Sequence, residues 1–464
     1  MKTERYMYQD KDKDGNPKGK LKVNCALLAE YFVENENLLL VRDRAVETVE
    51  LYFYRNGVYT WVSDDELRAY IKAYIPIEVQ NMADIREVYN LIITTTKYTE
   101  RDSLDADENV INFDNGMYHI STRTMLPHDP KYMSTVRIPI DYDPQAPTPT
   151  PDYFTPFINH MTAKDTGKTN LLLQVMGMAI SNVDATRTKK VLFLLGIGNI
   201  GKSVWRKLSA DIVGNRNNSN VTLEMLEARF GTANVYRKRL IGSPDMSFMT
   251  VRELFILKQL TGSDGLETEF KGRTPFYAPF KGVSWFCMNK LPKFGGDDGS
   301  HVYDRIMVVE TNTVEPTTLD RELPQKLREP DHLRYIVKLA IEQLHTVIDN
   351  GYNYTIPQSV KDTGQYYQEY NNSFLQFRNE CCVDRKLDGR GKYYLDNCTR
   401  GRLHKVYQAW CRENLIKVPK TAQQITELCK DEILDLDKGR YYTFTITREY
   451  KEIYSHIYGY DSTA

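Results

Sequence analysis

Lys190-Val-Leu-Phe-Leu-Leu-Gly196-Ile-Gly-Asn-Ile-Gly-Lys202-Ser203 runs from an apolar segment into a glycine-rich one and on into a helix-forming stretch, Ser203–Val213. Five consecutive apolar residues bounded by turn formers read as a buried strand. Gly196 to Ser203 satisfies G-x-x-x-x-G-K-[ST] without a mismatch, in the strand–loop–helix setting that the pattern requires. Glycine lets backbone N–H groups turn toward an oxyanion with no Cβ in the way, and a helix N-terminus favours negative charge. Gly196, Gly198, Asn199, Gly201, Lys202 and Ser203 are therefore expected to cradle the phosphates of ATP. Lys202 neutralises β and γ oxygens in this reading, and Ser203 holds Mg²⁺. The plainer alternative is a glycine-rich turn with no ligand.

Downstream, the strand-like runs Arg239–Gly242, Gly282–Met288 and Val302–Glu310 alternate with helical stretches such as Thr250–Leu260. This alternation predicts an α/β sheet with crossover helices. The first run leads to Asp245, read as the carboxylate that holds the metal or orients water, or else as a cap for the Thr250 region. Met246 follows it, so no second acid is adjacent. The strand Val283–Met288 ends at Asn289, which suits a residue that orients an attacking water; the plainer alternative is an Asn that opens the turn before Pro292.

Three parts flank or contain this core. Residues 1–142 read as a small α+β domain. Leu51–Val62 alternates around Asn56-Gly57, a hairpin signal, and Ser63-Asp64-Asp65 caps a helix over Glu66–Ile75. Residues 143–152, DPQAPTPTPD, form an extended Pro-rich spacer. Residues 153–354 hold the α/β core. Residues 355–464 give helices at Ser373–Cys382, Leu403–Leu415 and Thr421–Ile433, then a hairpin-like Arg440–Tyr450. That is the order of a winged helix. Gln423 and Gln424, at the start of its third helix, suit adenine edges in a major groove, with Arg440, Lys438 and Arg448 on phosphates. A winged helix that docks protein remains the alternative.

With 61 basic and 62 acidic residues the formal net charge is -1, so any DNA contact must come from local patches. The apolar runs Val191–Leu195 and Leu171–Ile180 fall short of the roughly 20 residues of a membrane span. The charged first 20 residues do not read as a signal peptide. Seven cysteines, an odd number, argue against a disulfide framework and for a reducing cytosol. The spacings of Cys381, Cys382, Cys398, His404 and Cys411 do not make zinc knuckles. Asp102, Asp105, Asp107 and Glu108 read as a solvated loop, not a two-metal polymerising site.

LLGIGNIGKS, RLIGSPD, LKQLTGSDGLE, WFCMNKLP and DGSHVYDRIMVVE follow one another over about 120 residues, Leu194 to Glu310. This ordered set resembles the superfamily 3 helicase part of phage and plasmid primase–helicases. The stretch VINFDNGMYHISTRTMLPHDPKYMSTVRIPIDYDP, Val110 to Pro144, resembles the domain that precedes their motor. The three-part layout is similar to that of the self-loading replication-initiator helicases of staphylococcal mobile elements.

The resemblance implies a central AAA+ P-loop ATPase between an N-terminal α+β domain and a C-terminal winged helix. It implies a hexameric homo-oligomer in the cytoplasm of a bacterial host, unwinding DNA 3′→5′, with single-stranded DNA in the channel and duplex origin DNA at the C-terminal domain. Arg305 matches the finger that reaches a neighbour's γ-phosphate; on residue type alone it would be a surface ion pair with Asp304. Lys271, Arg273 and Lys281 fall in the segment that carries the channel's DNA-contacting hairpin. Two departures stand out. Asn199 sits one place before the family's usual Asn, with Ile200 in its position, and Asp245 stands where Glu is frequent. The remaining alternatives are an origin-binding initiator whose ATPase is an assembly switch, and a P-loop phosphotransferase.

Overall fold

A computed structural model of the chain describes residues 5–43, 48–95, 98–246, 250–251, 255–262, 265–272, 275–294, 303–414, 416, 419–436 and 439–458. The described residues within Met1–Ser247, Ile256–Lys290 and Val309–Pro357 form one compact unit. Those within Phe248–Phe255, Leu291–Val308 and Gln358–Ala464 form a second.

In the first unit, the strands Val58–Val62, Thr48–Arg55, Leu38–Asp43 and Tyr98–Glu100 lie side by side in that order. The Asn56-Gly57 turn closes the first pair; both residues have positive φ, the conformation that Asn-Gly supplies at low cost. Helices Cys25–Asn35, Asp64–Tyr74 and Met82–Thr95 bury Phe32, Leu67, Ile71, Val88 and Ile92 against Phe53 of the sheet. Ser63 opens the second helix as part of a full capping box with Glu66. A three-stranded meander follows, Val110–Phe113, Gly116–His119 and Thr124–Leu126. The 143–152 spacer carries no helix or strand.

In the acidic stretch before the meander Asp102 and Asp107 are exposed, as a solvated loop requires, but Asp105 departs from that expectation. Asp105 accepts hydrogen bonds from the N–H groups of Thr135 (2.7 Å) and Val136 (3.2 Å) and from the Thr135 hydroxyl. Burial raises its pKa, and those bonds pull it back down. It folds a later segment onto this one, a contact no local pattern announces.

The core sheet is built from β1 (Val191–Leu195), β2 (Asn218–Asn220), β3 (Leu240–Gly242), β4 (Val283–Met288) and β5 (Ile306–Glu310), whose last two residues belong to this unit. Its order is β2-β3-β4-β1-β5, and the β2–β3, β3–β4 and β4–β1 pairs are parallel. Every residue of β4 is buried, as a central parallel strand requires. The fold is thus mixed α/β with a parallel sheet. Helix α1 (Lys202–Val213) crosses from β1 toward β2. It buries Trp205, whose ring centroid lies 6.0 Å from that of Trp285 on β4. Buried Arg206 donates to Asn218 Oδ1 (2.9 Å) and, more loosely, to the carbonyls of Gly242 and Trp285 (both 3.4 Å), so one guanidinium ties α1 to three strands. Burial pushes its pKa down to about 10.

The helix expected over Thr250–Leu260 is shorter. β-branched Thr250 and Val251 pair in parallel with Lys293 and Phe294, and among the described residues the helix covers Phe255–Leu260. Among the described residues no helix is long and apolar enough to cross a membrane. All seven cysteines are free, and all but Cys382 are buried.

The second unit holds helices Gln358–Asn371, Ser373–Cys381, Arg400–Glu413 and Ala422–Leu428. Strand Cys382–Asp384 pairs with Phe444–Ile446, and Ile433–Leu436 forms a hairpin with Gly439–Tyr442. The fourth of these helices stops at Leu428, before the expected Ile433, and Arg448 opens a helix instead of ending a hairpin. Phe374, Phe377, Tyr407, Trp410, Ile425 and Phe444 make its core.

Arg385, with a side chain only 1% exposed, pairs with Asp396 at 2.8 Å. Burial alone would raise the pKa of Asp396. Hydrogen bonds from Lys451, Thr445, Arg385 and the Cys398 N–H outweigh it and hold the carboxyl at about 2. The folded value lies below the unfolded one near ~3.9, so this stabilisation is complete above about pH 4 and is lost as pH falls from there toward 2. Urea unfolding should show a loss of about 2–3 kcal/mol over that window. In Asp396→Asn the loss should already be present at pH 7, with a weaker acid dependence; an unchanged acid profile would remove the carboxylate from this role.

Candidate active site

Parallel strands bring their C-terminal ends to one edge of a sheet, where open α/β folds bind ligands. Here β1 leads to Gly196, β3 leads through Ser243 and Pro244 to Asp245, and β4 leads to Asn289. The register sets Leu195 against Met288, and the Gly196 N–H donates to the Met288 carbonyl at 3.2 Å. Asn289 therefore emerges beside the start of the glycine-rich loop. Met246 bridges to Met288 and donates its N–H to the Cys287 carbonyl at 2.8 Å, which brings Asp245 to the same edge.

Gly198, Asn199, Gly201, Lys202, Ser203, Asp245 and Asn289 line one cavity of about 480 Å³. Lys202 is only 6% exposed. Its ammonium donates to the carbonyls of Gly196 (2.8 Å) and Ile197 (2.5 Å) and to Asn289 Oδ1 (3.0 Å). Burial lowers its pKa, and Cys287 and Asp245 nearby push the other way. The Ser203 hydroxyl donates to the Pro244 carbonyl at 2.8 Å, coupling the first turn of α1 to the exit of β3. The Ser243 hydroxyl bonds the Asp245 carbonyl at 2.7 Å, which steadies that residue's backbone and leaves its carboxylate exposed.

The glycines of the loop have separate causes. A Cβ on Gly196 would lie 1.9 Å from the Thr311 hydroxyl oxygen, itself buried and without a hydrogen-bond partner. Gly201 has φ +102° and faces the Phe157 ring, while a Cβ on Gly198 would meet nothing within 4 Å. Asn199 also takes positive φ, and its side chain reaches Glu315 at 3.4 Å instead of the cavity's cations. Beneath the loop, Cys287 is sealed in the core and burial pushes its thiol up to about 12.

Other expected site residues lie elsewhere. Arg305 belongs to the second unit and is half-buried, whereas Lys202, Ser203, Asp245 and Asn289 belong to the first. Lys271 is exposed in the turn joining Leu266–Thr268 to Phe276–Ala278. Arg273 and Lys438 lie outside the described residues. Lys281 lines a different cavity, together with Arg237.

In the second unit Gln423 is exposed on the first turn of its helix. Gln424 Oε1 accepts the Thr421 N–H at 2.8 Å in a capping box, so its amide oxygen is engaged by the backbone. Arg440 pairs with Asp435 at 3.0 Å, both well exposed, and Arg448 pairs with Glu452.

Sequence reasoning missed Phe157, His160 and the stretch from Pro316 to Pro324, which complete the cavity wall. These come from a preceding helix and from a segment after β5, and no motif marks them. Thr311 was missed as well. Its one visible signal is its place directly after a buried strand.

Residues 53–163 match the family described as "D5 N terminal like". Residues 194–305 match a "Family of unknown function (DUF5906)". Among solved structures, the chain is similar to an A form apo structure of the NrS-1 C terminal region, at 13% identity and TM-score 0.47, covering 87% of this chain and 93% of that one. A second apo structure of the same region gives 12% identity and TM-score 0.46 over 91% and 99%.

Replacing Gly196 with Ala should cost roughly 1–3 kcal/mol through the forced approach to Thr311. Thermal unfolding of Gly196→Ala, Thr311→Ala and the double variant tests this. Removing the hydroxyl should recover part of the loss, and strict additivity would count against the contact.

Proposed function

We propose that the chain is an ATP-driven AAA+ motor of DNA replication, a superfamily 3 helicase of the phage and plasmid primase–helicase kind. The observation that carries this reading is the meeting of Lys202, Ser203, Asp245 and Asn289 around one cavity at the ends of three strands. The match to "D5 N terminal like" over residues 53–163 adds support, because it contains the Val110–Pro144 stretch likened above to the domain ahead of such motors.

The residues fit a triphosphate. The ammonium of Lys202 rests on two neutral carbonyls and an amide oxygen, and phosphate oxygens are stronger, charged acceptors for it. The open side of Gly198 leaves its backbone free for close approach. Ser203 and Asp245 would hold Mg²⁺, which would offset charge on the phosphate oxygens during transfer. Lys202 binds and neutralises, the α1 N-terminus adds a favourable dipole, and Asn289 orients the attacking water. Arg305 of a neighbouring copy completes the pocket in a hexameric ring, with Lys271, Arg273 and Lys281 following one DNA strand 3′→5′. The finer kinship, to self-loading staphylococcal initiators in a bacterial cytoplasm, belongs to the same proposal.

The second unit supports an origin-binding role. A helix–strand–helix–helix–hairpin succession, with Gln423 exposed at the start of its third core helix, has the layout of a winged helix. This keeps open a second reading, in which ATP binding mainly switches initiator assembly at an origin.

Purified protein should hydrolyse ATP faster with single-stranded DNA and give the mass of a multimer. Lys202→Ala should lower hydrolysis by at least about a hundredfold. When it is mixed into wild type, activity should fall more steeply than the fraction of mutant subunits. Unaltered hydrolysis in Lys202→Ala would end the motor reading, and rings with ATP binding but no strand displacement would favour the switch. Gln423→Ala should cost about 1–3 kcal/mol of selectivity for one duplex sequence over random DNA in competition binding; equal selectivity would point the helix at protein.

A further inference from the structure

A second cavity, of about 420 Å³, opens in the first unit between the N-terminal sheet and the Leu266–Thr268/Phe276–Ala278 hairpin. Arg237 stands in its wall with its guanidinium carbon 5.1 Å from the ring centroids of both Tyr52 and Tyr236. Packed against two rings, the planar group keeps few rotamers, which restrains the direction of its forked N–H donors. Its ionic neighbour among the described residues is Glu50, at 3.2 Å from one terminal nitrogen. That carboxylate is shared with Arg101 at 3.2 Å and accepts the Tyr52 hydroxyl at 2.9 Å. Both terminal nitrogens of Arg237 are buried; one is ion-paired with Glu50, and the other has no partner among the described residues.

A buried donor nitrogen left without a partner is costly and calls for a ligand. Arg42, Arg101 and Lys281 line the same cavity. Of the three carboxylates there, Glu100, Asp102 and Asp105, the last is already engaged by Thr135 and Val136. Several cations of the wall have structural partners: Arg101 pairs with Glu50 and donates to the Tyr236 hydroxyl, Lys238 donates to the Arg216 carbonyl, and Arg239 to those of Met178 and Val183. Tyr277, 69% exposed on the wall, offers a ring face beside the charge. An oxyanion with an aromatic neighbour is the repeating unit of a single nucleic-acid strand.

We infer that this cavity is a phosphate-binding site centred on the Arg237 fork, taking a backbone phosphate of single-stranded DNA whose base lies against Tyr277. The site is separate from the Lys202 cavity. It deepens the DNA-motor reading, because it gives the bound strand a fixed contact on the N-terminal side of the hairpin.

The test uses the full chain without nucleotide and a fluorescent oligo-dT, with anisotropy followed across a salt series. Arg237→Met keeps the bulk of the side chain and removes the fork. Arg42→Gln lies on the exposed rim, where folding is not at stake. Each should weaken binding about tenfold and reduce the slope of log K against log salt by about 0.7, the loss of one single-strand phosphate contact. Arg237→Lys should restore the slope but only part of the affinity.

Inorganic phosphate serves as the second probe. If it raises the melting temperature of wild type and not of Arg237→Met while oligo-dT binding is unchanged, the site stands as a phosphate site but its source is a free anion. Unchanged affinity and slope in both variants, with no protection by phosphate, overturns the proposal. ATP hydrolysis is measured separately, so an inactive motor with an intact Arg237 effect would sink only the motor reading.

Discussion

An ammonium taken out of water must be surrounded by oxygen, and the architecture of the first unit follows from meeting that demand at Lys202. Two of its acceptors are carbonyls of the loop that precedes it, so the loop must curl back on itself. The third, Asn289, comes from another strand. It arrives because β4 lies directly beside β1 and pairs in a register that ends at Leu195 and Met288. Side chains alternate faces along a strand, so a slip of one residue would turn Asn289 away and leave the charge short of a partner. Trp205, Trp285 and Arg206 fix that register from below by tying α1 to the strands it crosses.

The phosphate loop, its strand and its helix were legible because they obey local rules: an apolar run, glycines at fixed spacing, then a helix former. Asp245 and Asn289 were legible for a related reason, each standing just past a buried strand. What could not be read was contact between distant segments. Thr311 against Gly196, Phe157 against Gly201, and Asp105 against Thr135 each join residues with no shared periodicity. Element ends were also elusive. Thr250 and Val251 fit a helical window by composition, but a strand partner at Lys293 outweighed it.

In the second unit the reading by residue type met the same limit. By residue type Gln424 offers an amide that suits a base edge. The backbone N–H of Thr421 claims its oxygen first, because an uncapped helix start leaves donors unpaired. Arg385 is the converse case. Nothing in its neighbourhood along the chain marks it, yet it is buried, donating to the carbonyls of Tyr442 and Cys398 while pairing with Asp396.

The distribution of sulfur has a practical side. Six of the seven thiols are buried and the seventh, Cys382, is half-covered with its pKa raised by burial. A thiol attacks only as thiolate, so alkylating reagents should find little to modify while the fold is closed. Cys287 lies directly beneath the Lys202 loop, and Cys381, Cys398, Cys411 and Cys429 lie within the core of the second unit. Each half of the molecule thus carries its own chemical clock, and the rate at which a given sulfur becomes labelled measures how often that half breathes open.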